Sequence, residues 1–136
     1  MISKENALLL SKNEELLISE LCSRLPYGVI CECDKISFKG ELREINLTYN
    51  MCRLYNVEND TSEICYIYDC KPYLFPMSSL TDEQREAYIN LCVEDTIGGI
   101  YYLTPDTVKW FYKNQIDHMG LIKSGIAKDA TKLKIY

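Results

Sequence analysis

Histidine is almost absent from this sequence, which contains only His118. A hydrolase with a Ser–His or Cys–His pair would depend on that residue, because imidazole is the usual base for these nucleophiles. The adjacent Asp117 gives no support, since consecutive residues point in different directions on a helix or strand. A G-x-S-x-G turn, the nucleophile motif of many hydrolases, is absent as well. We therefore predict no catalytic residue and no enzymatic activity.

Positive charge is also scarce. The chain carries 15 Lys and Arg residues against 20 Asp and Glu residues, a net charge of −5. Proteins that bind nucleic acid usually present a basic stripe to the phosphates. Only the C-terminal stretch is locally basic, with four lysines between residues 123 and 134. Nucleic-acid binding is thus the least favoured function, and it would require this lysine-rich tail.

Long apolar runs are missing too. No stretch approaches the roughly 20 apolar residues of a membrane span. The apolar residues 7–10 are too few for the core of a secretory signal. We expect a cytoplasmic protein that does not enter a membrane, in which the seven cysteines are reduced.

The spacing of the cysteines does not match a zinc site. Cys31 and Cys33 form a C-x-C pair, and Cys65 and Cys70 are separated by four residues, whereas zinc knuckles usually use C-x₂-C pairs. Buried cysteines behave as small apolar residues. We therefore predict no metal and no cofactor, with the thiols packed in the core.

Residues 1–27 are predicted to be helical. Apolar residues recur at three- and four-residue steps through 17–25, which is the pattern of one buried helix face. Ser11 and Glu14 have the spacing of a capping box and place the helix start near residue 11. Pro26 ends the helix.

Residues 28–75 are predicted to form four or five short antiparallel strands. The stretch 41–49 alternates almost strictly, with Ile45 on one face and Leu42 on the other, as in a half-buried strand. Short polar turns separate the segments, so the strands would form an antiparallel sheet or a small curled barrel. Two prolines within 71–76 predict an extended segment that leaves the sheet.

Residues 76–136 are predicted to be mainly helical. Thr81 precedes two acidic residues in the pattern of a helix N-terminus, and Thr104-Pro105 marks a second start. The order is one helix, then strands, then two helices. It predicts a single α+β domain over residues 1–136, since a parallel sheet would need strands and helices to alternate.

Tyrosine is abundant: there are 11 tyrosines and only 3 phenylalanines. A tyrosine ring is apolar with a polar tip, which suits half-buried sheet faces and protein interfaces. Most of these rings are expected in or near the core. The predicted binding residues lie around the last strand and on a later helix: Tyr66, Tyr68, Lys71, Tyr73 and Trp110.

Three segments are specific enough to compare with known sequences. They read R-L-P-Y-G-V at residues 24–29, K-P-Y-L-F-P-M-S-S at 71–79 and D-H-M-G-L-I at 117–122. In this order and spacing they resemble a family of small uncharacterised proteins of Bacteroidales phages, prophages and mobile elements. The chain departs from that family at Phe75, where arginine is usual. It departs again at His118-Met119, where tyrosine and arginine are usual.

The resemblance implies an origin rather than an activity: an accessory protein of a phage or mobile element, acting in the cytoplasm of a bacterial host. Since His118 is not the usual residue of that family at its position, a catalytic role is weakened further. We predict a non-enzymatic protein-interaction module that binds a partner protein or a second copy of itself. The first alternative is a small-ligand or nucleotide binder, such as an anti-defence factor, with tyrosines and Lys71 around its pocket. Nucleic-acid binding is the second alternative.

Overall fold

The computed structural model describes residues 4–94 and 101–136. Within them, one long helix precedes a sheet and two shorter helices follow it, which confirms the predicted α+β class. The elements are α1 (Lys4–Arg24), β1 (Ile30–Cys33), β2 (Phe38–Asn46), β3 (Met51–Asn56), β4 (Thr61–Tyr66), β5 (Cys70–Pro76), α2 (Asp82–Leu91), β6 (Val93–Glu94), β7 (Tyr101–Tyr102), α3 (Pro105–Lys113), β8 (Ile116–Asp117) and β9 (Lys128–Asp129). None of the helices in the described part of the chain is long and apolar enough to span a membrane.

The main sheet is open and mixed, with seven strands. Its order is β4-β3-β2-β1-β5-β8, and β9 also pairs with β5. Pairs among β1 to β5 are antiparallel, whereas β8 and β9 lie parallel to β5. The predicted number of strands is therefore too low, because two-residue strands such as β8 and β9 are too short to show a period-2 pattern.

Of the two predicted arrangements, an antiparallel sheet or a small curled barrel, the barrel is wrong. Among the described strands, β4 and β5 are not hydrogen-bonded to each other, although they follow one another in the chain. A 3₁₀ turn at Ile67–Asp69 separates them and leads β5 to pair with β1 instead of forming a hairpin with β4. The sheet thus keeps an open seam between β4 and β5.

A β-bulge at Arg43 changes which residues of β2 face the core. Leu42 lies before the bulge and Ile45 after it, and both pack against the core cluster. The almost strict alternation predicted for residues 41–49 placed them on opposite faces. That prediction is wrong because the extra residue in the bulge shifts the period by one position.

Residues 71–76 belong to the sheet rather than to a crossing segment. They form most of β5, which pairs with β1 on one side and with β8 and β9 on the other. Pairing with β9 begins at Tyr73, so Pro72 lies where only one neighbouring strand is present. A proline is tolerated in such a position because fewer ladder hydrogen bonds need its missing N–H group.

Helix α1 begins at Lys4, within the predicted helical residues 1–27 and ahead of the capping-box position at Ser11, because the alanine and leucines of residues 7–10 are good helix formers. The predicted starts of α2 and α3 are confirmed. Thr81 Oγ1 accepts the Gln84 N–H group at 3.2 Å, and Thr104 Oγ1 accepts the Thr107 N–H group at 3.2 Å. Both helices therefore begin with reciprocal capping boxes.

A buried ion pair joins α1 to the C-terminal half. Arg24 is fully buried, and its Nε donates to Glu20 Oε2 at 2.9 Å. Nη2 donates to the Ile116 carbonyl oxygen at 2.7 Å, and Nη1 to Gln115 Oε1 at 3.4 Å. The guanidinium also lies over the Tyr112 ring, 5.1 Å from its centroid. These contacts compensate a charge that would be costly to bury alone.

We expect Arg24→Ala to lower the free energy of unfolding by about 3–5 kcal/mol, because it leaves the Glu20 carboxylate buried without a partner. Urea denaturation measures the loss. Glu15→Ala, on an exposed part of the same helix, should stay within about 0.5 kcal/mol of the parent. The double variant Glu20→Leu/Arg24→Met should recover much of the stability, since it removes both charges and keeps the volume. A loss below about 1 kcal/mol for Arg24→Ala would contradict this account.

Candidate functional site

The predicted binding residues are distributed over three places. Tyr66 and Tyr68 are 59% and 38% exposed, at the end of β4 and in the turn that follows. Lys71 and Tyr73 lie in β5, where Tyr73 is buried. Trp110 is half-buried on α3 against other aromatic rings. Of the three tyrosines, only Tyr66 and Tyr68 present much of their surface to a partner.

Tyr73 belongs to a charged cluster on the outer face of the sheet. Its Oη donates to Glu32 Oε1 at 3.2 Å, and the Lys39 ammonium lies over its ring. Lys128 donates to Glu32 and, at 2.7 Å, to Asp34. The bond between Lys128 and Asp34 lowers the pKa of Asp34 and raises that of Lys128. These ion pairs connect β9, through Lys128, to β1 and the residue that follows it.

The carboxylate of Asp117 does not form a catalytic pair with His118. Its two oxygens accept the backbone N–H groups of Leu121 and Ile122 at 2.8 and 2.9 Å. The carboxylate therefore caps the turn that follows β8, a common role for aspartate.

The ring of His118 lies against aromatic side chains. It stacks on Phe111 with centroids 4.8 Å apart, and Tyr112 meets it edge-on. Its Nδ1 is buried and finds no hydrogen-bond partner among the described residues. Burial lowers the pKa of His118, and the positive charge of Arg24 lowers it further. The carboxylates of Glu20 and, to a smaller extent, Asp117 raise the pKa of His118.

An apolar patch is exposed where β2, β3 and β4 end. We define the hairpin patch as Tyr49, Met51, Ile64 and Tyr66. Tyr49 is 70% exposed and Ile64 is 50% exposed, and Met51 stands directly opposite Tyr66 in the ladder. Three of these residues line a shallow concavity of about 280 Å³. Large apolar side chains clustered at the surface are typical of interaction sites.

Polar and acidic groups border the hairpin patch. Arg53 lies opposite Ile64, and its guanidinium donates to Glu44 at 3.3 Å and to Ser62 at 3.2 Å. Glu44 also lines the concavity beside the patch. An apolar centre with a polar rim is the usual anatomy of a protein interface.

A groove of about 440 Å³ lies near the ends of β5 and α3. In the strand order of the sheet, β5 is three strands away from β3 and four from β4, which carry most of the hairpin patch. Ligand pockets typically have volumes of roughly 300–1,000 Å³. Its lining combines aromatic rings, amides and one lysine: Tyr27, Phe75, Tyr136, Gln84, Asn114, Gln115 and Lys113. The groove therefore has the size and the mixed chemistry of a small-ligand site.

Three cysteine sulfurs meet in the core. The Sγ atoms of Cys52 and Cys65 are 3.6 Å apart, and Cys70 Sγ lies 3.1 Å from each of them. All three residues are buried, and they come from β3, β4 and the first position of β5. We call these residues the thiol triad.

Spacing along the chain could not reveal the thiol triad, because its members meet only when three strands are in register. Cys52 pairs with Cys65 across β3 and β4. The 3₁₀ turn after β4 then places Cys70 in contact with both. The sequence gives only a weaker indication that cysteines are buried in the sheet, since Cys31 and Cys33 also fall at inward positions of a strand. Alternation of this kind predicts burial but not which sulfurs touch.

The thiol triad shares its protons. Hydrogen bonds with Cys65 and Cys70, in which either sulfur can be the donor, lower the pKa of Cys52. The same bonds raise the pKa of Cys65 to about 11 and that of Cys70 further still. Hydrogen bonding among the three thiols therefore couples their titrations.

No protein-family model, curated protein or solved structure matches this chain. The resemblance to small phage proteins therefore stays a prediction. The hairpin patch, the groove and the thiol triad are the three features whose geometry bears on function.

We expect the buried His118 to make the fold less stable in mild acid. The unfolded chain takes up the histidine proton near pH 6.5, whereas the folded chain takes it up only at lower pH. Between these values the unfolded state binds more protons, so the free energy of unfolding falls as pH falls, by at most about 1.4 kcal/mol per pH unit. Urea denaturation at pH 7.5 and 5.5 (about one unit either side of the unfolded pKa) measures this slope.

His118→Phe is the matched variant, because it keeps a ring against Phe111 and removes the titrating group. Its stability should fall less between the two pH values than that of the parent. Identical losses in the two proteins would show that carboxylates, and not His118, cause the acid sensitivity.

Proposed function

We propose that the protein is a non-enzymatic protein-interaction module that binds an extended segment of a partner protein along β4 and across the hairpin patch. The observation that supports this most is the position of β4: it is the outermost strand of the sheet in the described part of the chain, and exposed apolar side chains lie beside it. The exposed side chains of Ile64 and Tyr66 alternate with the buried Cys65.

An edge strand offers backbone groups to a second strand. The outer N–H and C=O groups of β4 have no ladder partner among the described strands, and such edges readily accept another chain. In strand addition, main-chain hydrogen bonds supply affinity, while alternate side chains supply specificity. The hairpin patch would receive the side chains on one face of the added strand.

The charges near β4 indicate the chemistry of the partner. Glu58, Asp60 and Glu63 are exposed on the β3–β4 hairpin, and Arg53 is already paired with Glu44. A segment that alternates apolar and basic residues would complement this edge, because opposite charges across an interface favour the correct register. The protein would act as an accessory factor of a phage or mobile element in the bacterial cytoplasm, as its resemblance implies.

Binding of extended peptides tests the proposal. In a display library of peptides with alternating positions randomised, we expect enrichment of apolar residues alternating with Lys or Arg. Amide chemical-shift changes on titration of the best peptide should centre on residues 61–66. Ile64→Lys should weaken binding at least about tenfold, equivalent to about 1.4 kcal/mol, because it places a charge against the apolar side chains of the partner.

Met119→Lys is the control, since Met119 is an exposed apolar residue outside the hairpin patch, and it should bind the peptide like the parent. Light scattering separates self-association from partner binding. A concentration-dependent dimer that Ile64→Lys abolishes would assign the edge to a second copy and contradict the partner proposal. Failure to enrich any peptide, or shift changes away from β4, would also contradict it.

The groove near the end of β5 favours a second function, the binding of a small polar ligand. Lys113 can pair with an anionic group. The rings of Tyr27, Phe75 and Tyr136 offer flat surfaces for stacking. This combination fits a nucleotide. Neither Lys71 nor the other predicted binding residues line the groove, so the site differs from the one that the sequence predicted.

Thermal denaturation with a panel of nucleoside mono-, di- and triphosphates tests the groove. A ligand present at 100 times its dissociation constant should stabilise the protein by about 2.7 kcal/mol. Lys113→Ala should abolish the shift. Lys109→Ala, on the same helix and outside the groove, should retain it. Unchanged melting across the whole panel would exclude a nucleotide function.

A further inference from the structure

We propose that the thiol triad binds one zinc ion, with Cys33 as the fourth ligand. The sulfurs of Cys52, Cys65 and Cys70 all lie within 4.8 Å of one another. Two of their separations are 3.1 Å, shorter than the roughly 3.5–4.0 Å at which smaller carbon atoms make contact. Two of the three sulfur pairs are therefore closer than apolar packing alone would bring them. The proposal is independent of the interaction function.

The geometry of the triad favours a four-coordinate ion over a planar one. The point in the plane of the three sulfurs that is equidistant from them is only about 1.9 Å from each, less than the zinc–sulfur distance of about 2.3 Å. An ion at about 2.3 Å from all three must therefore lie about 1.3 Å out of their plane. That position is pyramidal, and it leaves a fourth coordination site open. Around a tetrahedral ion the sulfurs would move apart from 3.1 and 3.6 Å to about 3.8 Å.

The fourth ligand is available on the neighbouring strand. Cys33 pairs with Cys70 in the β1–β5 ladder and is buried. Its sulfur lies outside the group of described sulfurs that are all within 4.8 Å of one another, so its side chain would have to move towards the ion on binding. A set of four cysteines around a tetrahedral ion is a common structural zinc site.

The ligand chemistry limits the choice of ion. The group that the described residues form contains only sulfur donors, which select soft ions such as Zn²⁺ and Cu⁺ and disfavour Mg²⁺ and Ca²⁺. Cu⁺ bound by three thiolates would lie close to their plane, where the sulfurs leave too little room. Binding needs no redox step: zinc forms bonds to thiolate sulfurs, and the displaced thiol protons pass to the solvent.

The site would bridge one end of the seam that the sheet leaves open, where β4 ends and β5 begins. β4 and β5 are not paired with each other among the described strands, yet Cys65 and Cys70 bring them into contact. A zinc ion held by residues of β1, β3, β4 and β5 would cross-link the two sides of that seam. It would thus supply a connection that backbone hydrogen bonds do not.

Titration of the full chain with Zn²⁺ and Co²⁺ tests the site. Protein reduced with a phosphine and stripped by a chelator should bind one ion per chain. Co²⁺ should produce a sulfur-to-cobalt charge-transfer band and the intense visible bands of a tetrahedral site. Zn²⁺ should remove these bands and raise the melting temperature. Cys52→Ser should weaken Zn²⁺ binding by more than the roughly 10- to 100-fold that loss of an outer hydrogen-bonding partner costs.

Cys31→Ser is the matched control. Cys31 is as deeply buried in the same core cluster and lies outside the thiol triad, so this variant should bind zinc like the parent. If Cys52→Ser does not fold, the cobalt spectrum of the parent decides the question. Absence of the charge-transfer band in the parent would overturn the proposal. So would a disulfide within the triad in the reduced preparation, or loss of binding in Cys31→Ser but not in Cys52→Ser.

Discussion

The buried guanidinium of Arg24 is the interaction on which the arrangement of the protein depends. It lies at the C-terminal end of α1, the helix that covers the inner face of the sheet, and it donates to the Ile116 carbonyl oxygen in β8. β8 in turn pairs with β5, so one side chain connects the first helix to the last part of the sheet. Since an unpaired buried charge is far more costly than a lost apolar contact, this arrangement tolerates little displacement of α1.

The curl of the sheet is the second constraint. In strand order, two strands stand between β3 and β5, and a flat sheet with about 4.8 Å between strands would hold them far apart. The contact between the Cys52 and Cys70 sulfurs at 3.1 Å shows how strongly the sheet bends. The 3₁₀ turn at Ile67–Asp69 connects β4 to β5 across this bend, and the two strands do not pair with each other. The result is a core rich in thiols beside an open seam.

Local signals predicted the elements better than their arrangement. Thr81 and Thr104 mark two helix starts because capping involves residues only three positions apart. Two features depend on partners that are distant in the chain, the bulge at Arg43 and the short strand β8. A pattern of period 2 in the sequence therefore does not predict them. The hairpin patch was predicted in part, through Tyr66. The thiol triad was missed, because it arises from strand register and curl rather than from cysteine spacing.

The two proposed sites share β4, and this has a physical consequence. Cys65 points into the core between two residues that point outward, Ile64 and Tyr66. An ion bound at Cys65 would restrict the backbone of the strand that carries part of the hairpin patch. Binding costs less conformational entropy when the receiving surface is already ordered. A buried metal would therefore favour partner binding without touching the partner, because it would fix the edge strand in the geometry that an added strand requires.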